Sequence, residues 1–534
     1  MPRNMIVAPQ PDAVEVGARL FMAGGNAVDA AIGCAFAQCV IDQMMCGIAG
    51  FGAMQLWLPA RKVHEVITFL SEAPSAVTPR MWEDLLEYET RDGFGFVLKG
   101  RVNDLGYQSI ATPGSLKGFH AAHSRYGKLS WADVVAPAAR LAAEGYRVTP
   151  AVHQYWTTPE GMGRVEIPDR LRYTKEYASL FFDGRGDFLP VGATVKNPDL
   201  ASTLERIAKD GPDTFYSGAL AEAIDADMRA HGGLMRKSDL LAYDVETTPP
   251  VWGEYRGYKV AVNPPPGCGV IVLKMLHILE HFDLLALGHN SPEYLRVLAE
   301  TMKRAQIEKD AKIGDPRMTP IPVAEMIDRT RAAADAAAIK RGEKVHVPRA
   351  GVKEAADTTH LCTIDAEGNA VSMTHTNGMQ SGVITKGLGF MYNGAMAMFD
   401  PRPGRAQSLE PRKRRVSSMS PTMLFRGGKP ALLIGAPGGS NIPMGILQVI
   451  LNIVDFGMTA GDAVSAPRIS ATSDLIDVAA RIPAYVCEDL ARQGYRTARS
   501  VQSFIAARVH AIRIDGNDIT GGADPAGGGM ALAV

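Results

Sequence analysis

The sequence predicts a layered α/β protein with substantial antiparallel sheet. Three observations carry this expectation. Apolar helical patterns and β-rich runs alternate along all 534 residues, with no low-complexity linker and no clear repeat. Two strand-like runs, HLCTID and AVSMTHT, flank the turn-forming tetrad AEGN. Further on, TMLFRGGKPALLIGAPGGS reads as strand, Gly-Gly turn, strand and glycine turn, followed by the apolar helical run IPMGILQVILNIVDFG. A chain of this length exceeds what one simple core serves, so two domains or one large layered unit is expected.

From the amino end, DAVEVGARLFMA is helical by its apolar spacing and stops at Gly24-Gly25. Asn26 then suits an N-cap, with Asp29 three residues on as a capping-box partner. The run AVDAAIGCAFAQCVI (27–41) is too short to span a bilayer and holds Asp29 and Gln38, so it reads as a buried helix. Residues 130–145, 218–231 and 291–312 also read as helices. NPPPGCGVIVLKML (263–276) is a rigid loop entering a helix, structural rather than catalytic. EKVHVPRAGVKEA (343–355) is an exposed connection, and the closing GGADPAGGGMALAV is a glycine-rich loop with a short terminal strand.

Composition narrows the function. Apolar residues make up 46% and charged residues 21%, and 56 basic against 57 acidic side chains leave a formal net charge of -1. A general nucleic-acid or anionic-membrane role needs a basic footprint that is missing here. The opening MPRNMIVAPQPDAVEVG has no apolar h-region, so no secretory signal is read. None of the six cysteines forms a CxxC pair, so neither a zinc site nor a disulfide framework is indicated. The expectation is a cytoplasmic protein acting on a small molecule, with no cofactor, no metal and no membrane.

Asp357-Thr358-Thr359-His360 stands at the mouth of the hairpin. Setting Asp365 opposite Asn369 across the turn also places Thr358 opposite Thr376. Opposed residues share a face with Cβ atoms about 4.5–5.5 Å apart. One face then carries Thr358, His360 and Cys362 against Ser372, Thr374 and Thr376, a patch of small polar groups; a one-residue slip would destroy it. On the plain reading the threonines merely begin a strand, where β-branched residues are common. On the sharper one the chain is cut between Asp357 and Thr358, and the new α-amine, with a pKa of about 7.7–8.0, activates the Thr358 hydroxyl. Thr376 would orient that hydroxyl.

In ALLIGAPGGSNIPMGIL, Pro437-Gly438-Gly439-Ser440 lies between a strand and a helix. Glycines allow successive N–H groups to turn toward one point, and the helix N-terminus adds a positive field. Such a nest suits a developing oxyanion, although an ordinary strand-to-helix turn has the same composition. Phosphate is disfavoured, since the Walker lysine and GxGxxG are both missing. In PRKRRVSSMSPT (411–422), Arg412 to Arg415 precede Ser417 and Ser418. Such a run is usually a solvated surface, but folded over a pocket it would favour an anionic substrate.

Together these motifs resemble the gamma-glutamyltransferase family of N-terminal-nucleophile hydrolases. The matching stretches are GGNAVDAAIG (24–33), TPGSLKGF (112–119), YGKLSWADVVAPAARLAAEGY (126–146) and HGGLMRKSDLLAY (231–243). EYRGYKV with NPPP (254–266), DTTH…GNAVSMTHT (357–376), SSMSPT (417–422) and GAPGGS (435–440) follow in the family's order. The resemblance implies a four-layer αββα sandwich and self-cleavage into a large subunit, residues 1–357, and a small subunit, residues 358–534. These would stay together as one folded unit, with further dimerisation open. It also implies Thr358 as nucleophile, Thr376 as its support, and Gly438 and Gly439 as the oxyanion hole. Ser417 and Ser418 would hold a substrate carboxylate, with Asn377 also at the substrate.

The departures concern the substrate. Glutamyl-specific members grip the α-carboxylate with an arginine just before a segment that here reads FLSEAPSAV (69–77), with Leu70 and Ser71 in its place. Their acidic and amide groups for the α-ammonium are replaced by Ala395 and Met398 in YNGAMAMF (392–399). Each lost charged contact costs roughly 2–5 kcal/mol on a buried ionic substrate, which argues against an ordinary γ-glutamyl donor. An oxamate amidohydrolase or an acylase-type member fits the pattern. A true γ-glutamyl hydrolase or transpeptidase, and a non-catalytic binding protein on the same fold, are the other readings.

Overall fold

A computed structural model describes residues 4–90, 95–160, 163–347 and 358–534. Two antiparallel sheets lie at its centre. The first has seven strands in the order Met530–Ala533, Met5–Ala8, Thr359–Ile364, Ala370–Thr376, Phe51–Leu58, Val63–Phe69 and Glu246–Thr248. The second has six, in the order Asp518–Ala523, His510–Asp515, Lys429–Gly435, Thr422–Arg426, Tyr258–Val262 and Val251–Tyr255. Both are built from strands on either side of residue 358, so the amino- and carboxy-terminal parts share one core.

Alternation along the strands creates three layers of core. Leu361 and Met373 point to the helices covering the first sheet, where they join Phe36 and Met54. Their neighbour Cys362 points the other way, to meet Val7, Met423, Leu433 and Ile512 between the sheets. Beyond the second sheet, Leu424, Leu432 and Ile434 pack on Leu276 and Leu447 from helices Gly269–Leu279 and Ile442–Val454. The result is the four-layer αββα sandwich.

The expected helices form as Pro11–Met22, Ala27–Ile41, Trp131–Glu144, Ala219–Ala230 and Pro292–Lys312. Asn26 and Asp29 make a reciprocal capping box at the second of these. That helix is apolar on every side and is buried along its whole length, as such a sequence requires. Asp365 Oδ2, in the hairpin turn, accepts from the Ala27 N–H at 3.0 Å, and Thr363 Oγ1 donates to the Ala27 carbonyl at 2.8 Å. The hairpin is thereby fixed to the helix it lies on.

One expectation is corrected. Gly521 and Gly522 belong to the edge strand Asp518–Ala523, not to a loop. A Cβ on Gly521 would lie 2.6 Å from Ala531 Cβ, and one on Gly522 would lie 2.3 Å from the Ala460 carbonyl oxygen. Close packing, not turn geometry, accounts for these glycines.

Candidate active site

The hairpin register is the one that places Thr358 with Thr376: Thr359 faces His375, His360 faces Thr374 and Cys362 faces Ser372. At the mouth of the hairpin, Thr358 Oγ1 donates to Thr376 Oγ1 at 3.3 Å. Thr376 Oγ1 also accepts from the Gly378 N–H at 2.8 Å, so a backbone amide holds the supporting hydroxyl in place. Gly378 has φ +64°, a left-handed conformation that glycine adopts without strain.

The Thr358 side chain meets a cavity of ≈ 10 Å³, walled by Thr376, Gly378, Arg415, Ser417, Ser418, Met419, Gly439 and Ile442. The structure thus brings Thr358, Thr376, Ser417, Ser418 and Gly439 to one point from four separate segments. Gly438 adjoins this wall with φ +138°, and a Cβ there would lie 2.7 Å from Ala507 Cα. Only glycine fits. Gly439–Asn441 then form a tight turn into helix Ile442–Val454, whose N-terminus faces the same region. Asn377 is oriented differently: its Nδ2 donates to the Gln43 carbonyl at 2.9 Å, and its backbone N–H to Met45 at 3.1 Å. These bonds anchor the end of the strand that carries Thr376. Asp357 lies outside the described residues, as does most of the connection before it.

The loop NPPPGC, expected to be structural, supports the serine segment directly. Ser417 N–H donates to the Pro266 carbonyl at 2.9 Å, and Asn263 Nδ2 donates to the Met419 carbonyl at 3.0 Å. Gly267 has no room for a side chain, since its Cβ would lie 1.9 Å from Asn263 Nδ2.

The basic run is not a solvated surface. Arg412 is exposed, but Lys413, Arg414 and Arg415 are buried, with Arg415 only 2% exposed. Arg414 is held by Glu72 and Glu246. Arg415 stacks over the Phe51 ring at 4.8 Å, its backbone N–H donates to Ser71 at 3.2 Å, and its Nε donates to the Val416 carbonyl at 2.9 Å. Burial pushes its guanidinium pKa down to about 9, against a small opposing effect from Cys268. Leu70 and Ala395 join Phe51, Phe399 and Met419 in one buried apolar cluster.

Sequence reasoning missed a polar network on the helix side of the hairpin. His375 Nε2 donates to Gln38 Oε1 at 2.8 Å, while Gln38 Nε2 donates to Gln10 Oε1 at 2.8 Å and Thr359 Oγ1 at 2.9 Å. Burial lowers the His375 pKa to about 3, which keeps it neutral. On the opposite face, His360 bonds Thr374 Oγ1 at 2.8 Å and lies so close to Gly435 that a Cβ there would meet its ring at 2.1 Å. Two lone Gln residues in apolar sequence were the available signals for the first network. For a metal, Cys39, Cys46 and His375 are the donor group in the described residues, with ligand atoms within 4.8 Å of one another; burial keeps the Cys46 thiol protonated. All six cysteines are free thiols, and no described helix is long and apolar enough to cross a membrane.

Residues 13–534 match the family model described as Gamma-glutamyltranspeptidase. The chain is 37% identical over 508 residues to the Acylase ACY 1 proenzyme of Pseudomonas sp. (strain SE83), covering 93% of this chain and 88% of that protein. It is 34% identical over 560 residues to the Glutathione hydrolase proenzyme of Pseudomonas aeruginosa, covering 99% and 94%. The crystal structure of cephalosporin acylase from Bacillus halodurans superposes with a TM-score of 0.86 at 27% identity, over 100% of this chain and 96% of that one.

Proposed function

Because the chain belongs to the gamma-glutamyltranspeptidase family of N-terminal-nucleophile hydrolases, we propose that it is an autoprocessed, acylase-type amide hydrolase whose nucleophile is Thr358. The observation that carries this reading is the pair of hydroxyls, Thr358 on Thr376, 3.3 Å apart in a cavity walled by Ser417, Ser418 and Gly439. Cleavage between Asp357 and Thr358 divides the chain into residues 1–357 and 358–534, which remain one unit because both sheets draw strands from each part.

The freed α-amine takes the proton from Thr358 Oγ1 as that oxygen attacks the substrate's amide carbonyl. Negative charge on the former carbonyl oxygen is received by the Gly438 and Gly439 N–H groups at the head of helix Ile442–Val454. The substrate's amide nitrogen then takes that proton from the α-ammonium and departs as the C–N bond breaks, leaving an ester on Thr358 Oγ1. Water attacks that ester, and the carboxylic acid leaves as Thr358 regains its proton. Gly378 N–H holds Thr376 Oγ1, and Thr376 Oγ1 directs the nucleophile.

The substrate is an acyl amide lacking an α-ammonium requirement. Ala395 and Met398 offer hydrocarbon where glutamyl-specific members carry polar groups, and a relative at 37% identity is named an acylase. Purified protein should separate on a denaturing gel into two fragments, the smaller beginning Thr-Thr-His-Leu. Thr358→Ala should give one uncut, inactive chain. Full activity in an uncut wild type, or turnover persisting in Thr358→Ala, would refute the proposal.

A further inference from the structure

We propose that the Ala507 methyl is a wedge that sets the position of the oxyanion turn, so that Ala507 is a positioning residue for the reaction. The proposal rests on Thr358 as nucleophile and on Gly438 and Gly439 as the groups that receive the developing charge.

Ala506 and Ala507 have φ +65° and +73°, left-handed values at two successive alanines. An L side chain in this region is pressed against a neighbouring carbonyl, whereas glycine adopts it freely. The chain thus carries a methyl at 507 where glycine would be unstrained. Strain of this kind persists only where surrounding contacts over-determine the backbone.

Those contacts lie on both sides of the residue. The Ala507 carbonyl accepts from Arg468 Nη2 at 2.9 Å, and Arg468 is paired in turn with Asp524, both side chains being buried. The Val509 N–H donates to the same carboxylate, at 3.3 Å from Oδ2. Between them, the Arg508 N–H donates to the Pro437 carbonyl at 3.1 Å. The residue after Ala507 is therefore bonded to the residue before Gly438.

The methyl itself fills a slot between two glycines. Ala507 Cβ lies 2.8 Å from where a Gly438 Cβ would stand and 2.9 Å from where a Gly445 Cβ would stand. Gly438 leads into the turn Gly439–Asn441, and Gly445 is the fourth residue of helix Ile442–Val454. One methyl thus spaces the turn from the first turn of the helix that follows it. A glycine turn has no side chains of its own to fix its direction, so a neighbour has to impose it. Donors aimed in advance at the developing charge do not have to reorganise during the reaction, which is where their effect on rate arises. Ala506 differs from its neighbour. Its side chain clusters with Ala479 and Ile505, and it is the Ala506 carbonyl that meets Gly445.

The test compares Ala507→Gly with Ala506→Gly in the processed full-length enzyme. Each variant relieves one left-handed alanine, but only the first removes the wedge. Two readouts are used: turnover of pentanoyl p-nitroanilide, and inhibition by butylboronic acid set against inhibition by pentanoate. Thr358 Oγ1 bonds to boron as its proton passes to the α-amine, and one hydroxyl of the resulting tetrahedral boronate takes the oxyanion's place. Pentanoate forms no such bond. Ala507→Gly should lose about tenfold in kcat and in boronate affinity, part of the 10²–10³ that losing an oxyanion donor outright costs. Its KM and pentanoate affinity should stay within about twofold of wild type. Its urea midpoint should stay at the wild-type value, because the strain relieved by glycine offsets the packing lost with the methyl. Ala506→Gly should keep kcat within about twofold. Wild-type kcat and boronate affinity in Ala507→Gly overturn the proposal. So does an equal loss of boronate and pentanoate affinity, or the same loss of kcat in both variants. A wild type that binds butylboronic acid no better than Thr358→Ala does counts against Thr358 as nucleophile, the reading beneath the proposal.

Discussion

Replacing Thr376 by Val keeps the shape of the side chain and removes one oxygen. Two donors then lose their acceptor: the Gly378 N–H, now at 2.8 Å, and the Thr358 hydroxyl, now at 3.3 Å. A buried amide left without a partner costs about 1–3 kcal/mol, and the longer hydroxyl contact contributes about 0.5–1 kcal/mol. Thr376→Val should therefore be less stable by about 2–3 kcal/mol, read as a lower urea midpoint at an unchanged slope. The effect on rate should exceed the effect on stability. A nucleophile displaced by about 1 Å loses on the order of 10²-fold in kcat, with KM little changed. Thr376→Ser restores the oxygen and should stay within about tenfold of wild type. A Val variant as fast as wild type, or faster than the Ser variant, would mean that the 3.3 Å contact does not orient the nucleophile.

Gly435→Ala drives a methyl onto the His360 ring, 2.1 Å from Cε1 and 2.5 Å from Nδ1, in a site where the ring is fully buried. Overpacking and loss of the Thr374 bond should cost about 3 kcal/mol or more, and an Ala variant that unfolds at the wild-type urea midpoint would contradict the packing described. Acid should destabilise the fold through buried histidines. His375 and His510 are held neutral by burial, at about 3 and about 4, whereas unfolded histidine titrates near 6.5. Below that value the unfolded chain binds protons that the native one refuses, so stability falls with pH until the native pKa is reached. Asp42, raised to about 6 by burial, takes up its proton in the native state first and partly offsets this. Between pH 7 and pH 5 these three groups together should remove about 2 kcal/mol, and His510→Gln should recover close to half of the histidine effect. A wild type as stable at pH 5 as at pH 7, with His510→Gln following the same profile, would show that the buried imidazoles are not the acid-sensitive element.

How much of this was legible in the chain depended on the range of the forces involved. The hairpin was legible because a turn and a period of two fix every facing pair, so Asp365 and Asn369 already determine where Thr358 and Thr376 meet. The helix at Ala27–Ile41 was legible because its capping residues and all-round apolar sequence are local. Gly378 was hidden because nothing in THTNG says that its N–H, rather than a side chain, secures Thr376. The Gln10–Gln38–His375 network joins residues 28 and 337 positions apart, and no periodicity encodes such pairings.

Arg415 marks the boundary most clearly. In sequence it is one of four consecutive cations, and charge runs normally face water because burial of an ion is unfavourable. In the fold, Arg412 does face water, Arg414 is neutralised by Glu72 and Glu246, and Arg415 is laid on Phe51 and lines one cavity with Thr358. The fates of Arg414 and Arg415 follow from contacts with residues 51, 72 and 246, not from the run itself. Read only along the chain, the run is four like charges; in the fold its members stand in different environments. The same reasoning extends to Leu70 and Ala395, which lie far apart in the chain and share one buried apolar cluster in the fold.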